Sequence, residues 1–327
     1  MSNGTTEGTT RDARRDYRPQ GTDATPTRIS TLKRTLTEFS EDNMTVWAAA
    51  LTYFGLLALF PALIALVSIL GLFGNPQSTT HTITQVVTHI GPSSAAKTFS
   101  GPVQSITSHR AASGVLFIVG LAVALWSASG YIGAFMKAAN VIYETPEGRP
   151  FWKLRPLQIL VTLVMIVLLA VVLLAIVLTG PVVSAVAGPL GVGSAAQTVW
   201  NIAKWPAMLI VVIVMFAVLF HASPNVKLPG FKWVTPGAVL AIVVWIVASA
   251  AFAFYVANFG SYDKTYGTLG GVVVLLMWMW ITNIALLLGM ELNAERERAR
   301  ELAAGMPRAE REIQLEPRDQ PKPQKTT

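Results

Sequence analysis

PLQILVTLVMIVLLAVVLLAIVLT, residues Pro156 to Thr179, decides the fold class, because it runs from end to end without one Asp, Glu, Lys or Arg. A helix of this length, rising about 1.5 Å per residue, reaches across the ~30 Å hydrocarbon core of a bilayer. Oil offers no partner for a backbone amide, so a segment entering it must pair its own polar groups as a helix. Five further runs read the same way: Val46 to Phe73, Ala112 to Met136, Pro206 to Phe220 with a few residues before it, Val234 to Asn258, and Thr268 to about Leu292. The sequence therefore predicts an all-α, polytopic integral membrane protein with about six transmembrane helices. Pro61, inside the first run, removes one backbone bond and predicts a kink there.

Composition agrees. Of 327 residues 52% are hydrophobic and only 13% charged, against roughly one-quarter charged in soluble domains. A net charge of +7 could suit nucleic acid, but no basic stripe with a stacking platform or nucleic-acid module accompanies it. Anionic lipid headgroups at the cytoplasmic face are the simpler counterpart, so membrane lipids are the expected partners and nucleic acid is not. A second copy of the chain or an envelope protein is a further possible partner. With no cysteine in the chain, disulfides, thiolate chemistry and Cys-based zinc sites are excluded. His81, His89, His109 and His221 form no HExxH-type pattern, and neither a phosphate loop, a dinucleotide glycine motif nor a GxSxG elbow occurs. No cofactor, metal or catalytic residue is expected.

Three regions follow from the pattern. Residues 1–27 are polar, lack an apolar period and read as a disordered cytoplasmic tail. Residues 28–294 form the six-helix membrane domain, introduced by an amphipathic helix over Arg28 to Phe39 with Ile29, Leu32, Leu36 and Phe39 at helical spacing. Residues 295–327 are a charged cytoplasmic tail whose first part extends the last helix into water and whose proline-containing end reads as disordered. Residues 180–204, broken by Pro181, Gly188, Pro189, Gly191 and Gly193, read as an external loop with a surface helix or a shallow re-entrant piece. Lys and Arg are distributed unevenly: seven precede the first run, four lie in 137–156, two in 221–233 and eight after the last run. The alternate connections hold two, one and one. The positive-inside rule then places both termini in the cytoplasm.

The stretches AAALTYFGLLALFPALIAL (Ala48 to Leu66), AFMKAANVIYE (Ala134 to Glu144) and NFGSYDKTYGTLGGVVVLLMWMWITNIALLLGMELNAE (Asn258 to Glu295) resemble the YihY family, also called the BrkB-like family. The resemblance covers roughly residues 28 to 295. It implies a six-helix prokaryotic inner-membrane protein and carries no agreed biochemical activity; an older ribonuclease name for the family does not transfer. Asp42, Ala48 to Tyr53 and Pro61 match its pattern in the first helix. Tyr262, Tyr266, Gly267 and Gly270 match before the sixth, and Asn283, Gly289, Glu291 and Asn293 match within it.

The residues themselves single out a few polar positions. Glu291 follows the apolar run IALLLGM, where a carboxylate is desolvated unless paired, hydrated or protonated. It is either an ion, proton or headgroup ligand or an anchor in the headgroup layer; Glu295, one turn on, reads as solvated. Asn283, in the middle of the sixth span, must find a partner for its amide, in a polar cavity or on another helix. Asn258 sits near the external face as a helix end. Gly267 and Gly271 permit close packing around Tyr262 and Tyr266, either ordinary packing or a gate or lipid-facing groove. Asp42 and Asn43 can cap the first turn of the first span, and Tyr53 can present its hydroxyl to a cavity or pack. The reading is a transport-like or lipid-interacting membrane protein, with a structural or interaction protein of the envelope as the alternative and a membrane enzyme ranked last.

Overall fold

Runs of Leu, Val, Ile and Ala longer than a bilayer is thick have one stable form in oil, and the computed structural model builds each as a helix. It describes residues 28–73, 114–177, 194–258, 268–306 and 308–320. In chain order the helices are α1 (Arg28–Glu41), α2 (Met44–Phe73), α3 (Gly114–Ile142), α4 (Phe151–Val177), α5 (Ser194–Ala222), α6 (Pro236–Asn258) and α7 (Thr268–Ala303). Phe151–Ile176, Thr198–Ala222, Pro236–Asn258 and Gly270–Ala303 are long and apolar enough to cross a membrane, and Met44–Leu59 adds a shorter apolar stretch. Among the described residues the only β pairing is an isolated bridge between Val226 and Pro317. The chain is an all-α, multi-pass membrane protein.

The tight part of the bundle lies at one end, here called basal. Met44, Ala48 and Leu51 at the start of α2 pack with Phe135, Met136, Ala139 and Ile142 at the end of α3, Leu219 and Phe220 at the end of α5, Ala238 and Ala241 at the start of α6, and Leu287, Met290 and Ala294 late in α7. The opposite ends are different. On α5, Val199, Ile202, Trp205, Leu209 and Ile210 are exposed, as are Val247, Phe254 and Tyr255 on α6. Such side chains are unremarkable against lipid, whose tails are as apolar as they are.

Helix α7 is the hub, packing on α6, α2, α1 and α3. Its closest approach is to α6, where Gly237 faces Gly289. A methyl group added to Gly237 would lie 1.9 Å from the Gly289 carbonyl oxygen, and one added to Gly289 would lie 2.4 Å from the Gly237 oxygen. Two backbones therefore touch, the arrangement small residues permit between membrane helices.

Two expectations change. Helix α5 begins at Ser194 and contains Pro206, so residues 194–203, read as part of a loop or re-entrant piece, belong to the helix; residues 181–193 lie outside those described. The second difference concerns the C-terminus, read as a tail running out into water. Helix α7 continues to Ala303, and the chain then folds back so that Ala309 and Ile313 are buried against the basal end. The backbone amide of Lys227 donates to the Glu316 carbonyl and that of Arg318 to the Asn225 carbonyl. Gly148 makes room for this strap, since a Cβ there would meet the Asp319 carbonyl oxygen at 1.9 Å.

Candidate functional site

The basal face of α7 carries Glu291, Glu295 and Arg298, spaced i, i+4 and i+7, which puts all three on one side of the helix. All are buried. Arg298 donates from Nε to Glu295 Oε1 at 2.8 Å and from its terminal nitrogen to Glu144 Oε1 at 2.8 Å. A third contact runs from Arg298 to the Ala309 carbonyl at 3.5 Å. Arg34 of α1 reaches Glu295 Oε2 at 3.0 Å and Glu38 Oε1 at 3.4 Å, and donates to the Glu310 carbonyl at 3.0 Å. Glu144, just past α3 with a φ of 49°, accepts with its second oxygen from the amide of Ile313 at 3.0 Å. Glu301 accepts from the amide of Gln314 through both oxygens. Four parts of the chain are thus pinned together by one ionic network. Glu295, expected to be solvated, is instead one of its buried members, because Arg34 and Arg298 approach it from both sides.

Glu291 stands next to this network without joining its hydrogen bonds. It is 1% exposed, and among the described residues its Oε2 has no hydrogen-bond partner. Asp42, Glu295 and Glu38 contribute negative charge around it and Arg298 positive charge, while Tyr143 lies within electrostatic reach. Among the described residues no three His, Cys, Asp or Glu side chains form a set able to hold a metal ion.

Eight residues earlier on α7, about 12 Å along the axis, Asn283 is fully engaged. Its Oδ1 accepts from the Tyr131 hydroxyl at 2.8 Å, and its Nδ2 donates to Thr52 Oγ1 at 3.1 Å and toward the Ala48 carbonyl at 3.5 Å. The amide thereby joins α2, α3 and α7. Asn293, two residues after Glu291, holds α6: its Oδ1 accepts from the Gly237 amide at 2.9 Å and its Nδ2 donates to Thr235 Oγ1 at 2.9 Å.

The remaining sequence candidates do not converge on this centre, with one exception. Asp42 lies in the turn between α1 and α2, close enough to Glu291 to act on it electrostatically. Its neighbour Asn43 takes a left-handed conformation, and Nδ2 donates back to the Glu41 carbonyl at 3.0 Å. Asn43 therefore closes α1 as a left-handed cap and also starts α2, its carbonyl accepting from the amides of Val46 at 2.9 Å and Trp47 at 3.2 Å. Tyr53 is 60% exposed on α2, edge-on to Phe54. Asn258 ends α6, donating to its own Phe254 carbonyl at 2.7 Å. Tyr262 and Tyr266, with Gly267, lie outside the described residues.

A second polar cluster closes the other side of the basal end. Arg149 binds Glu147 through two nitrogens, at 2.8 and 2.7 Å, and donates to the Ser223 carbonyl at 2.9 Å, satisfying a backbone group just past α5. Asn140 donates to Glu147 and accepts from the Asn225 amide, and Asn225 in turn donates to the carbonyls of Pro146 and Asp319. Partial burial pushes the Glu147 carboxyl upward, but the hydrogen bonds and charge of Arg149, with the Asn140 amide, outweigh it and hold the group below its usual range. A carboxylate whose folded value is depressed contributes stability above its unfolded value, and that contribution is lost as pH falls through the folded one. In thermal unfolding of purified protein, the wild type should therefore exceed Glu147→Gln at neutral pH. The gap should close on acidification below the ordinary carboxylate range; a gap independent of pH would contradict the assignment.

Sequence reasoning missed Arg34, Glu144, Arg149, Asn225 and Arg298. Each is an ordinary polar residue in the chain, and only the fold shows that its partners come from distant segments.

Comparison with known proteins was consistent with this architecture. The profile of the family described as "Virulence factor BrkB" matches residues 35–313. The ribonuclease-like protein YfkH of Bacillus subtilis is 32% identical over 247 residues, covering 76% of this chain and 88% of that protein. A UPF0761 membrane protein of Aeromonas salmonicida is 26% identical over 272 residues (78% and 85%), and one of Alteromonas mediterranea is 26% identical over 259 residues (77% and 82%). No solved structure matches. The chain belongs to the BrkB family.

Proposed function

We propose that this BrkB-family protein is transport-like, with its working centre at the basal end around Glu291. One observation carries the reading. In a region where Asn283, Asn293, Glu295 and Arg298 have all found partners, Glu291 keeps a buried oxygen that has none. Buried polar groups are normally paired, and an exception in a native fold points to a role other than stability. Asn283, grouped with Glu291 in the sequence reading, bonds three helices together, which supports a structural part for it.

The setting is the prokaryotic inner membrane with both termini cytoplasmic, an orientation supported by the uneven distribution of Lys and Arg. Ile29, Leu32 and Leu36 of α1 are exposed on a helix whose Arg34 holds the bundle, which suits an interfacial helix lying among lipids with anionic headgroups. The ribonuclease-like name of the Bacillus relative has no support from a nucleophile and base in the site described.

The test uses the full chain in liposomes, read with a pH dye, an ion-sensitive dye and a fluorescent phospholipid. Glu291→Gln is expected to lower whichever flux the wild type shows by at least about tenfold, a change of about 1.4 kcal/mol in barrier, at wild-type abundance. Asn283→Ala should instead lower the thermal midpoint, by about 1–3 kcal/mol of stability for the unpaired groups it leaves on Tyr131 and Thr52. No flux of any of the three kinds would favour the alternative of an envelope interaction protein, for which the exposed distal faces of α5 and α6 are the available surface.

A further inference from the structure

The charges around Glu291 do not balance. Glu38, Asp42, Glu144, Glu291 and Glu295 share the space with two arginines, Arg34 and Arg298. Both guanidinium groups are committed elsewhere: Arg298 to Glu295, Glu144 and the Ala309 carbonyl, Arg34 to Glu295, Glu38 and the Glu310 carbonyl. Neither is bonded to Glu291. A bare carboxylate taken out of water costs several kcal/mol unless a cation or several donors repay it, and Glu291 Oε2 has no donor at all. The neutral acid avoids most of that cost. A metal ion would be another remedy, but no suitable set of ligands surrounds the site among the described residues.

We propose that Glu291 is a proton-binding site, taking its proton from the basal solvent by way of the Glu38 and Asp42 side. The proposal rests on the transport reading and names the bound species. Asp42 and Glu38 are partly exposed whereas Glu291 is not, so they form the solvent side of the cluster. Facing Glu291 are Glu38 and Asp42 from α1 and its turn, Tyr143 from the end of α3, and Glu295 and Arg298 from α7 itself. Protonation makes one O–H bond on a carboxylate oxygen and breaks one in a hydronium ion of the basal solvent, which is left as water; no electrons are exchanged. Because the bound form is neutral, loading and unloading change the net charge beside the Arg298–Glu295–Glu144 network, which also holds the C-terminal strap at Ala309 and Ile313.

The experiment is infrared spectroscopy of the full chain in phospholipid vesicles, recording the carboxylic-acid C=O band at neutral and alkaline pH. The wild type should show an acid band at neutral pH that is lost on alkalinisation and is missing in Glu291→Gln. Glu291→Asp, which keeps a carboxyl, should show the band displaced, and it serves as the test should the glutamine variant fail to fold. Exchanging sodium for potassium or choline should leave the band unchanged. A wild-type spectrum without that band, or a band abolished by sodium alone, overturns the proposal. A Glu291 band in a protein that moves nothing retires the transport reading and leaves the proton site standing. Glu291-dependent flux without the band does the reverse.

Discussion

Replacing Gly289 by valine is expected to remove folded protein almost entirely, with little material surviving detergent extraction as a monodisperse peak. At this position an added carbon meets the Gly237 carbonyl oxygen at 2.4 Å, the Ala241 Cβ at 2.6 Å and the Gly237 carbonyl carbon at 3.2 Å. None of these is the end of a flexible side chain, so relief requires α6 and α7 to move apart. That movement breaks further bonds: Asn293 holds the Gly237 amide and Thr235, fastening the start of α6 to the late part of α7. Overpacking of a tight core costs about 1–3 kcal/mol, and loss of the coupled bonds adds roughly 1 kcal/mol each. The sum is a large part of the ~5–15 kcal/mol that typical folds have in reserve. Gly130→Ala is the control, because nothing lies within 4 Å of the position a methyl group would take there; its midpoint should stay level or rise slightly. Equal loss in both variants would mean that the helix contact is not what matters.

The same pair shows how far the sequence can be read. The six long helices were legible because a run such as Pro156 to Thr179 leaves the backbone no alternative in oil, whatever its neighbours are. The start of α5 was not: Gln197, Asn201 and Lys204 dilute its apolar character and Pro206 interrupts it, yet the helix runs through all four. Glu291 and Asn283 were visible as costly polar groups, since cost depends on the residue and its depth alone. Their different fates depended on partners in other segments. Asn283 meets Tyr131 and Thr52, while Glu291 Oε2 meets nothing. Gly237 and Gly289 lie far apart in the chain, and no local feature announces that they touch. The strap over 308–320 reads in the sequence as part of a charged tail, because its many charged and polar residues show no apolar run. Arg318 instead donates to the carbonyls of Val226 and His221, at 2.9 and 2.6 Å, so a basic residue taken for tail serves as a clasp.

The second large effect is expected at Arg298. Substitution by methionine removes the guanidinium that joins Glu295 to Glu144 and leaves the buried Glu295 carboxylate facing the exposed Glu144 without it. Removing one partner of a buried ion pair costs about 3–5 kcal/mol, because the remaining charge stays buried without compensation. Arg34 still binds Glu295 at 3.0 Å, which argues for the lower part of that range. The loss should have a local signature as well as a global one. Arg298 contacts the Ala309 carbonyl and orients the Glu144 carboxylate that receives the Ile313 amide, so the strap should open and tryptic cleavage at Arg311 should quicken well before the bundle melts. Combining Arg298→Met with Glu144→Gln tests the cause: if uncompensated charge dominates, the double variant recovers part of the loss, and the two substitutions are strongly non-additive. If the two losses simply add, the guanidinium acts by packing alone, and the ionic account of the basal network is wrong.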